Sequence, residues 1–248
     1  MPTKLSVLYL SYNEADIIAQ SLASVQAIAD EIILIDSGSK DSTVDIAEKY
    51  GALVFHKSLE NWGHQRNWGL RKCQYHWILV IDCDEVLTDQ LIQSIRHFKR
   101  NVTETDQMPR AFKRVHYFKG QKMKFSGLQR DLITRLLPTG MLFNELMVHE
   151  KILDQAVLIE GSVEHYSYKS KEHWRDKFQQ YAKRQAIDYD AKTGEITAWH
   201  TTIKPSYRFF KHYVVKGGIF DGVLGLEYSL WMFRAVKWRY DEIKKLRA

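Results

Sequence analysis

Cysteine is nearly absent from this 248-residue chain, which carries two, Cys73 and Cys83. Two thiols make neither a disulfide framework nor a zinc cage, so a reducing compartment is expected. There is no run of about 20 uncharged apolar residues, so no membrane-spanning helix is expected. The first apolar run, Lys4 to Leu10, is too short for a signal peptide, and Ser-Tyr-Asn-Glu follows at once. No G-x-G-x-x-G follows that run, which argues against a Rossmann dehydrogenase. Internal repeats and low-complexity stretches are also missing. The 45% hydrophobic content is nonetheless ample for a sizeable core.

An excess of charge of either sign is missing from most of the chain as well. The net charge is +6, yet residues 1–203 balance to zero. Residues 204–248 hold ten Lys/Arg against Asp221, Glu227, Asp241 and Glu242. In that segment Tyr207, Phe209, Phe210, Tyr213, Phe220, Trp231, Phe233 and Trp238 are interleaved with Lys211, Lys216, Arg234, Lys237 and Arg239. A basic, aromatic tail on a neutral body suits peripheral contact with an anionic membrane. The same aromatics could instead pack on the body while the cations snorkel. No nucleic-acid-binding module accompanies the basic segment, so nucleic acid is not an expected partner.

The first hundred residues alternate between apolar runs and helical patterns. Leu5–Leu10, Ile32–Ile35, Ala52–Phe55 and Trp77–Ile81 read as strands. Ile17, Ile18, Leu22, Val25 and Ile28 recur at helical spacing. Asp41, Ser42 and Thr43 can cap a helix that Gly51 closes, and another helix opens near Thr88. Alternation of this kind predicts an α/β fold with a parallel sheet between helices. Ligands of such sheets sit beyond the carboxyl ends of the strands, where Ser11–Glu14, Asp36–Ser39 and Asp82–Glu85 lie. Farther on, Ala111–Phe118, Leu132–Leu137 and Val157–Tyr168 read as strands. A long helix is expected from about Ser170, with Trp174, Phe178, Tyr181 and Gln185 on one face. Gly194 and Pro205 read as breaks before the tail. The domains expected are a catalytic domain over 1–203, divided into a nucleotide-binding half at 1–100 and an acceptor-side half at 101–203, and a basic amphipathic helical tail over 204–248.

The sharpest local feature is Trp77-Ile-Leu-Val-Ile-Asp82-Cys-Asp84-Glu85. Carboxylates at i and i+2, where a buried strand emerges, can converge on a hard cation that bridges to a diphosphate. An acidic strand end can equally serve the dipole of the next helix. Three further strings accompany it: Asn13-Glu14, Asp30-Glu31-Ile-Ile-Leu-Ile-Asp36-Ser-Gly-Ser-Lys-Asp41-Ser-Thr43, and Gln65-Arg66-Asn67 before Asp82-Cys-Asp84-Glu85. Together they resemble the nucleotide-sugar-binding half of the family 2 glycosyltransferases. Val148-His149-Glu150, His165-Tyr166-Ser167-Tyr168 and Gly217-Gly218-Ile-Phe-Asp221-Gly222 extend the likeness. They are similar to the bacterial branch that builds the inner core of lipopolysaccharide or lipooligosaccharide, of the β-1,4-glucosyltransferase type.

The resemblance implies a GT-A fold, a Rossmann-like mixed sheet flanked by helices, with a C-terminal helical extension. It implies an inverting hexosyl transfer, most simply glucose from UDP-glucose to a glycolipid or oligosaccharide acceptor, with Mn2+ or Mg2+ as cofactor. Ser11, Tyr12, Glu14, Asp36, Arg66, Asp82 and Gly127 are then the nucleotide-sugar-binding residues. Asp84, Asp82 and His165 are the metal ligands. Glu150 is the catalytic base, with Asp131 in reserve. Many relatives carry a second Asp after the one at Asp36, where this chain has Ser37. A cytoplasmic enzyme, peripheral on the inner face of the membrane, is the corresponding expectation. The alternatives are a sugar nucleotidyltransferase, against which the acidic, glycine-free Ser11–Glu14 turn speaks, and a non-enzymatic membrane-surface adaptor.

Overall fold

The computed structural model describes residues 2–59, 61–103, 105–128, 131–144, 155–168 and 170–248, and of His173 the backbone alone. The chain packs into two compact units, one of residues 1–114 and 132–165, the other of residues 115–131 and 166–248.

The first unit is built on β1 (Leu5–Ser11), a strand buried at every residue. It pairs in parallel with β2 (Glu31–Asp36) on one side and β4 (Trp77–Asp82) on the other. β3 (Leu53–His56) lies in parallel outside β2. Near-continuous apolar runs in these strands follow from burial on both faces. Alternate residues divide between two cores. Leu5, Val7 and Tyr9 pack with Leu22 of α1 (Ile18–Val25), Ala47 of α2 (Thr43–Lys49) and Ile95 of α4 (Asp89–Asn101). Leu8, Leu10, Ile78 and Val80 pack with Leu70 of α3 (Trp62–Leu70) on the other face. Gly51, at φ +79°, follows α2 in the left-handed conformation that ends a helix. The Thr88 hydroxyl caps α4 by accepting from the Leu91 N–H.

Beyond this parallel 3-2-1-4 layer the strand direction changes. β8 (Leu132–Pro138) runs antiparallel to β4, and β6 (Arg110–Phe118) antiparallel to β8. β9 (Val157–His165) follows β6, and β5 (Glu85–Leu87) closes the sheet antiparallel to β9. The result is the mixed sheet flanked by helices of the GT-A fold. The register sets Ser11 opposite Asp36 and Leu10 opposite Asp82, so the expected polar clusters share the carboxyl edge of the layer.

The second unit takes the end of β6, the short β7 (Gln121–Lys122), α5 (Lys171–Asp190), α6 (Lys204–Phe210) and α7 (Gly222–Arg247). Its core is aromatic: Phe118 and Trp174 pack with Trp231, with Phe178 stacked on Trp231 at 5.8 Å. Trp231 and Tyr240 of the basic segment bury themselves against α5, so α5 and the tail belong together. Pro205 does not break the chain as expected. It lies in the first turn of α6, just after a π-helical turn over Trp199–Ile203. The wider turn removes the clash a proline ring makes in a regular helix.

Candidate active site

The turn after β2 is organised by one carboxylate. Asp36 is 1% exposed and accepts from the Ser11 hydroxyl at 3.0 Å, the Ser39 hydroxyl at 2.5 Å, and the Gly38 and Ser39 N–H groups at 2.9 Å. Burial by itself would raise this carboxyl, but the Ser39, Gly38 and Ser11 donors outweigh it and hold the group below its ordinary value. The turn after β1 is joined to this one. Asn13, at φ 54°, donates its N–H to Ser39 Oγ at 2.9 Å and accepts from the Lys40 N–H at 2.8 Å. The N–H groups of Glu14 and Ala15 donate to Thr43 Oγ1 and Asp41 Oδ2 at 2.8 and 3.1 Å. Two strand-end loops are thereby fastened side by side, with Tyr12 half exposed above them.

α3 buries three consecutive polar residues, which an ordinary amphipathic helix does not do. Each reaches a different element. Gln65 donates to the Ser37 hydroxyl at 2.8 Å and to the Lys57 carbonyl at 3.1 Å. Asn67 exchanges two hydrogen bonds with the Phe143 backbone, at 2.9 and 2.8 Å. Arg66, 4% exposed, pairs with Asp82 at 2.6 Å and lies over the Phe143 ring.

Asp82 ends β4 between two guanidinium groups, with Arg135 of β8 on its other oxygen at 3.2 Å. Burial would raise the Asp82 carboxyl, but Arg135, Arg66 and Arg114 outweigh it and hold the group far below the usual carboxylate range. Glu85, 0% exposed, accepts from the Asp82 N–H at 3.0 Å and lies 3.4 Å from Arg114. Burial first, and then the charge on Asp82, push Glu85 up against the pull of Arg135, Arg114 and His165. Cys83 turns into the core and donates its thiol to the Leu10 carbonyl. Asp84 meets His165 at 3.2 Å because β9 pairs with β5 in the register Glu85↔His165.

Of the three side chains expected to ligate a metal, the structure therefore brings Asp84 and His165 together and turns Asp82 toward arginines. Among the described residues no set of three His, Cys or carboxylate groups converges as a preformed cage. A carboxylate and an imidazole in contact still suit a hard cation that draws its remaining ligands from diphosphate and water. Gly127 and Asp131 belong to the second unit. A Cβ at Gly127 would collide with the Lys216 side chain, and Asp131 pairs with His116 at 2.7 Å. Glu150, the expected base, lies outside the described residues, as does His149.

Sequence reasoning missed Arg135, Arg114, Glu85 and Phe143. One of these carried a signal: Arg135 is the one charge within Leu132-Ile-Thr-Arg-Leu-Leu, whereas Arg114 shares β6 with Arg110 and Lys113 and does not stand out.

A parallel layer continued by antiparallel strands, with an arginine-held aspartate and an Asp–His pair at its carboxyl edge, defines a GT-A glycosyltransferase. The family model described as glycosyl transferase family 2 matches residues 6–147, more than half of the chain, and the chain belongs to that family. It is 26% identical over 259 residues to an uncharacterized glycosyltransferase of Rickettsia conorii, covering 98% of this chain and 90% of the relative. A shorter match, 33% identical over 100 residues, is to chondroitin synthase of Escherichia coli, covering 36% of this chain and 15% of that one. Among solved structures, S. aureus TarS matches with a TM-score of 0.46 at 15% identity, covering 98% of this chain and 91% of that chain. Glucosyl-3-phosphoglycerate synthase of Mycobacterium tuberculosis, solved with Mn2+ and UDP-glucose, matches with a TM-score of 0.38 at 20% identity, over 46% and 44% of the two chains.

Proposed function

We propose that this glycosyltransferase moves glucose from UDP-glucose, with inversion, onto a glycolipid acceptor of the lipopolysaccharide or lipooligosaccharide core, at the cytoplasmic face of the inner membrane. The observation that carries the donor half is the carboxyl edge of the sheet, where a clamped Asp82 adjoins the Asp84–His165 pair. Arg135 Nη1 is buried there without a hydrogen-bond partner among the described residues, the condition of a donor waiting for an anion.

In this reading Asp84 and His165 would hold Mn2+ or Mg2+, which would supply positive charge beside the leaving diphosphate. Arg66 and Arg135 keep Asp82 ionised and fixed at the end of β4, beside the Asp84–His165 pair. Asp36 and Ser11 keep the two loops together beneath the nucleoside. Glu150 takes the proton of the acceptor hydroxyl as that oxygen bonds to the anomeric carbon and the bond to UDP breaks. The core-building acceptor rests on the Gly217–Gly222 and His165–Tyr168 strings.

The test is a thermal-shift titration of nucleotide sugars with and without Mn2+. At a donor concentration about 100 times Kd, ligand linkage contributes about 2.7 kcal/mol, or about 5–10 °C for a chain of this size. UDP-glucose with Mn2+ is expected to produce that shift, EDTA to remove it, and Asp84→Ala to abolish it in a folded protein. Full-rate transfer in EDTA, or an unchanged UDP titration in Asp84→Ala, rejects the metal assignment.

A further inference from the structure

The second unit leaves a compact set of large apolar side chains in water. α6 and α7 form an antiparallel helical hairpin. Lys204 lies 3.1 Å from the Tyr240 hydroxyl, the His212 and Tyr228 rings are 5.6 Å apart, and a Cβ on Gly225 would strike the Gly218 carbonyl oxygen. Contacts at 204/240, 212/228 and 218/225 converge on a tip at residues 216–222. The inner side of the hairpin is closed by small or buried residues, Gly218, Gly225 and Ser229 among them. The bulky residues consequently face out: Val215 is 68% exposed, Phe220 75% and Val223 78%, with Val214, Ile219 and Phe210 about half exposed. Phe125 adds its ring to Phe220 at 5.4 Å. An unclad cluster of this kind at one tip marks an interaction site.

The charge around the tip is cationic, and among the described residues no salt bridge holds Arg208, Lys211 or Lys216. Between residues 199 and 233 the acids are Asp221 and Glu227, against Lys204, Arg208, Lys211 and Lys216. Asp221 is consumed by the N–H groups of Lys124 and Phe125 and the Ser126 hydroxyl, and Glu227 by Lys119 at 2.6 Å. Arg208 and Lys211 also sit close enough to Lys216 to add, after its partial burial, to a lowering of its pKa. Three crowded cations beside an apolar tip call for an anionic surface with an apolar interior. No helix among the described residues is long and apolar enough to cross a membrane. A two-fold contact between copies would set Arg208, Lys211 and Lys216 against themselves, which opposes self-association.

We propose that the α6–α7 hairpin tip, with Phe220, Val223 and Val215 entering the headgroup boundary and Lys211, Lys216 and Arg208 on the lipid phosphates, docks this chain on an anionic membrane as a monotopic anchor. The inference deepens the glycolipid reading, because it would hold the enzyme at the surface that displays such an acceptor.

Vesicle flotation of the full chain tests it, with pure phosphatidylcholine against phosphatidylcholine containing about 30 mol % phosphatidylglycerol. Binding is expected to the anionic vesicles and to weaken as salt is raised. Phe220→Ser with Val223→Ser should reduce partitioning roughly tenfold or more, since both side chains lose their lipid burial. Lys211→Glu with Lys216→Glu should remove the preference for phosphatidylglycerol. All four positions are away from the unit's buried core, and circular dichroism melts are the check that each variant folds. Absence of flotation, or variants that float like the parent, overturns the proposal. So does a dimer in solution that the Phe220→Ser variant dissolves, which would give the face to a second copy. Transfer onto a delipidated core oligosaccharide separates the two readings. Transfer without vesicle binding sinks the anchor alone, and vesicle binding without transfer upholds the anchor and counts against the acceptor assignment.

Discussion

Replacing Arg66 by Met tests whether the site is held together by the charge clamp on Asp82. The guanidinium is 4% exposed and 2.6 Å from the carboxylate. Breaking a fully buried pair from one side costs about 3–5 kcal/mol, because a charge is left without its partner. Here Arg135 stays at 3.2 Å and the Asp82 side chain is 26% exposed, so roughly half of that, about 2 kcal/mol, is expected for the pair. Loss of the guanidinium from above Phe143, 5.5 Å away, adds about 0.5–1 kcal/mol. Met keeps most of the stem volume, so the total is about 2–3 kcal/mol, or about 4–12 °C in Tm. Urea unfolding of Arg66→Met, Asp82→Asn and the double variant closes a cycle. The double variant should be more stable than the sum of the single losses implies, by about 1–2 kcal/mol, because a neutral amide in place of the carboxylate needs no counter-charge. A loss below about 0.5 kcal/mol in Arg66→Met, or strict additivity in the cycle, refutes the clamp.

His212 is buried and donates its Nδ1–H at 2.8 Å to the Ser126 carbonyl. Its pKa is pushed down to about 4, by burial first and then by Arg208, Lys216 and Lys211. The unfolded chain binds this proton near pH 6.5 and the folded one does not, so stability should fall as pH drops from about 6.5 toward 4, by up to about 3 kcal/mol. Denaturation at pH 7 and pH 5 measures it, and His212→Gln should flatten the dependence. Asp36 has the opposite chemistry with the same acid sensitivity. Its lowered pKa adds stability above the unfolded carboxyl value that is lost as pH falls through the folded one, and Ser39→Ala should shrink that loss in acid denaturation curves. Gly225→Ala would gain about 1 kcal/mol of helix propensity on an isolated α7. It should nonetheless lower Tm, because the new methyl would overlap the Gly218 carbonyl; a raised Tm would show that the hairpin is looser than this.

The first four strands were legible because β1, β2 and β4 are buried on both faces and read as mainly apolar runs, β2 and β4 ending in Asp36 and Asp82. Asp82 and Asp84 were visible for the same reason. Arg135 and Arg114 were not, because β8 and β6 reach the acidic turn through antiparallel pairings that no local spacing encodes. Glu85 stood in the quoted string, but nothing in the string distinguishes a carboxylate 0% exposed from its more open neighbour Asp84. Trp174, Phe178 and Trp231 form one core across position 203/204, where the charge of the chain changes.

By itself the sequence determined the class of fold, the order of the parallel strands' elements and the chemistry of the strand ends, since these follow from local periodicity and residue type. Tertiary structure decided what those ends touch. It put two arginines on Asp82, a histidine 81 positions away on Asp84, and the apolar side chains of the hairpin outward, not inward. Ion pairing and burial depend on which distant elements share a few ångströms of space, and that is settled only when the whole sheet and its helices have closed.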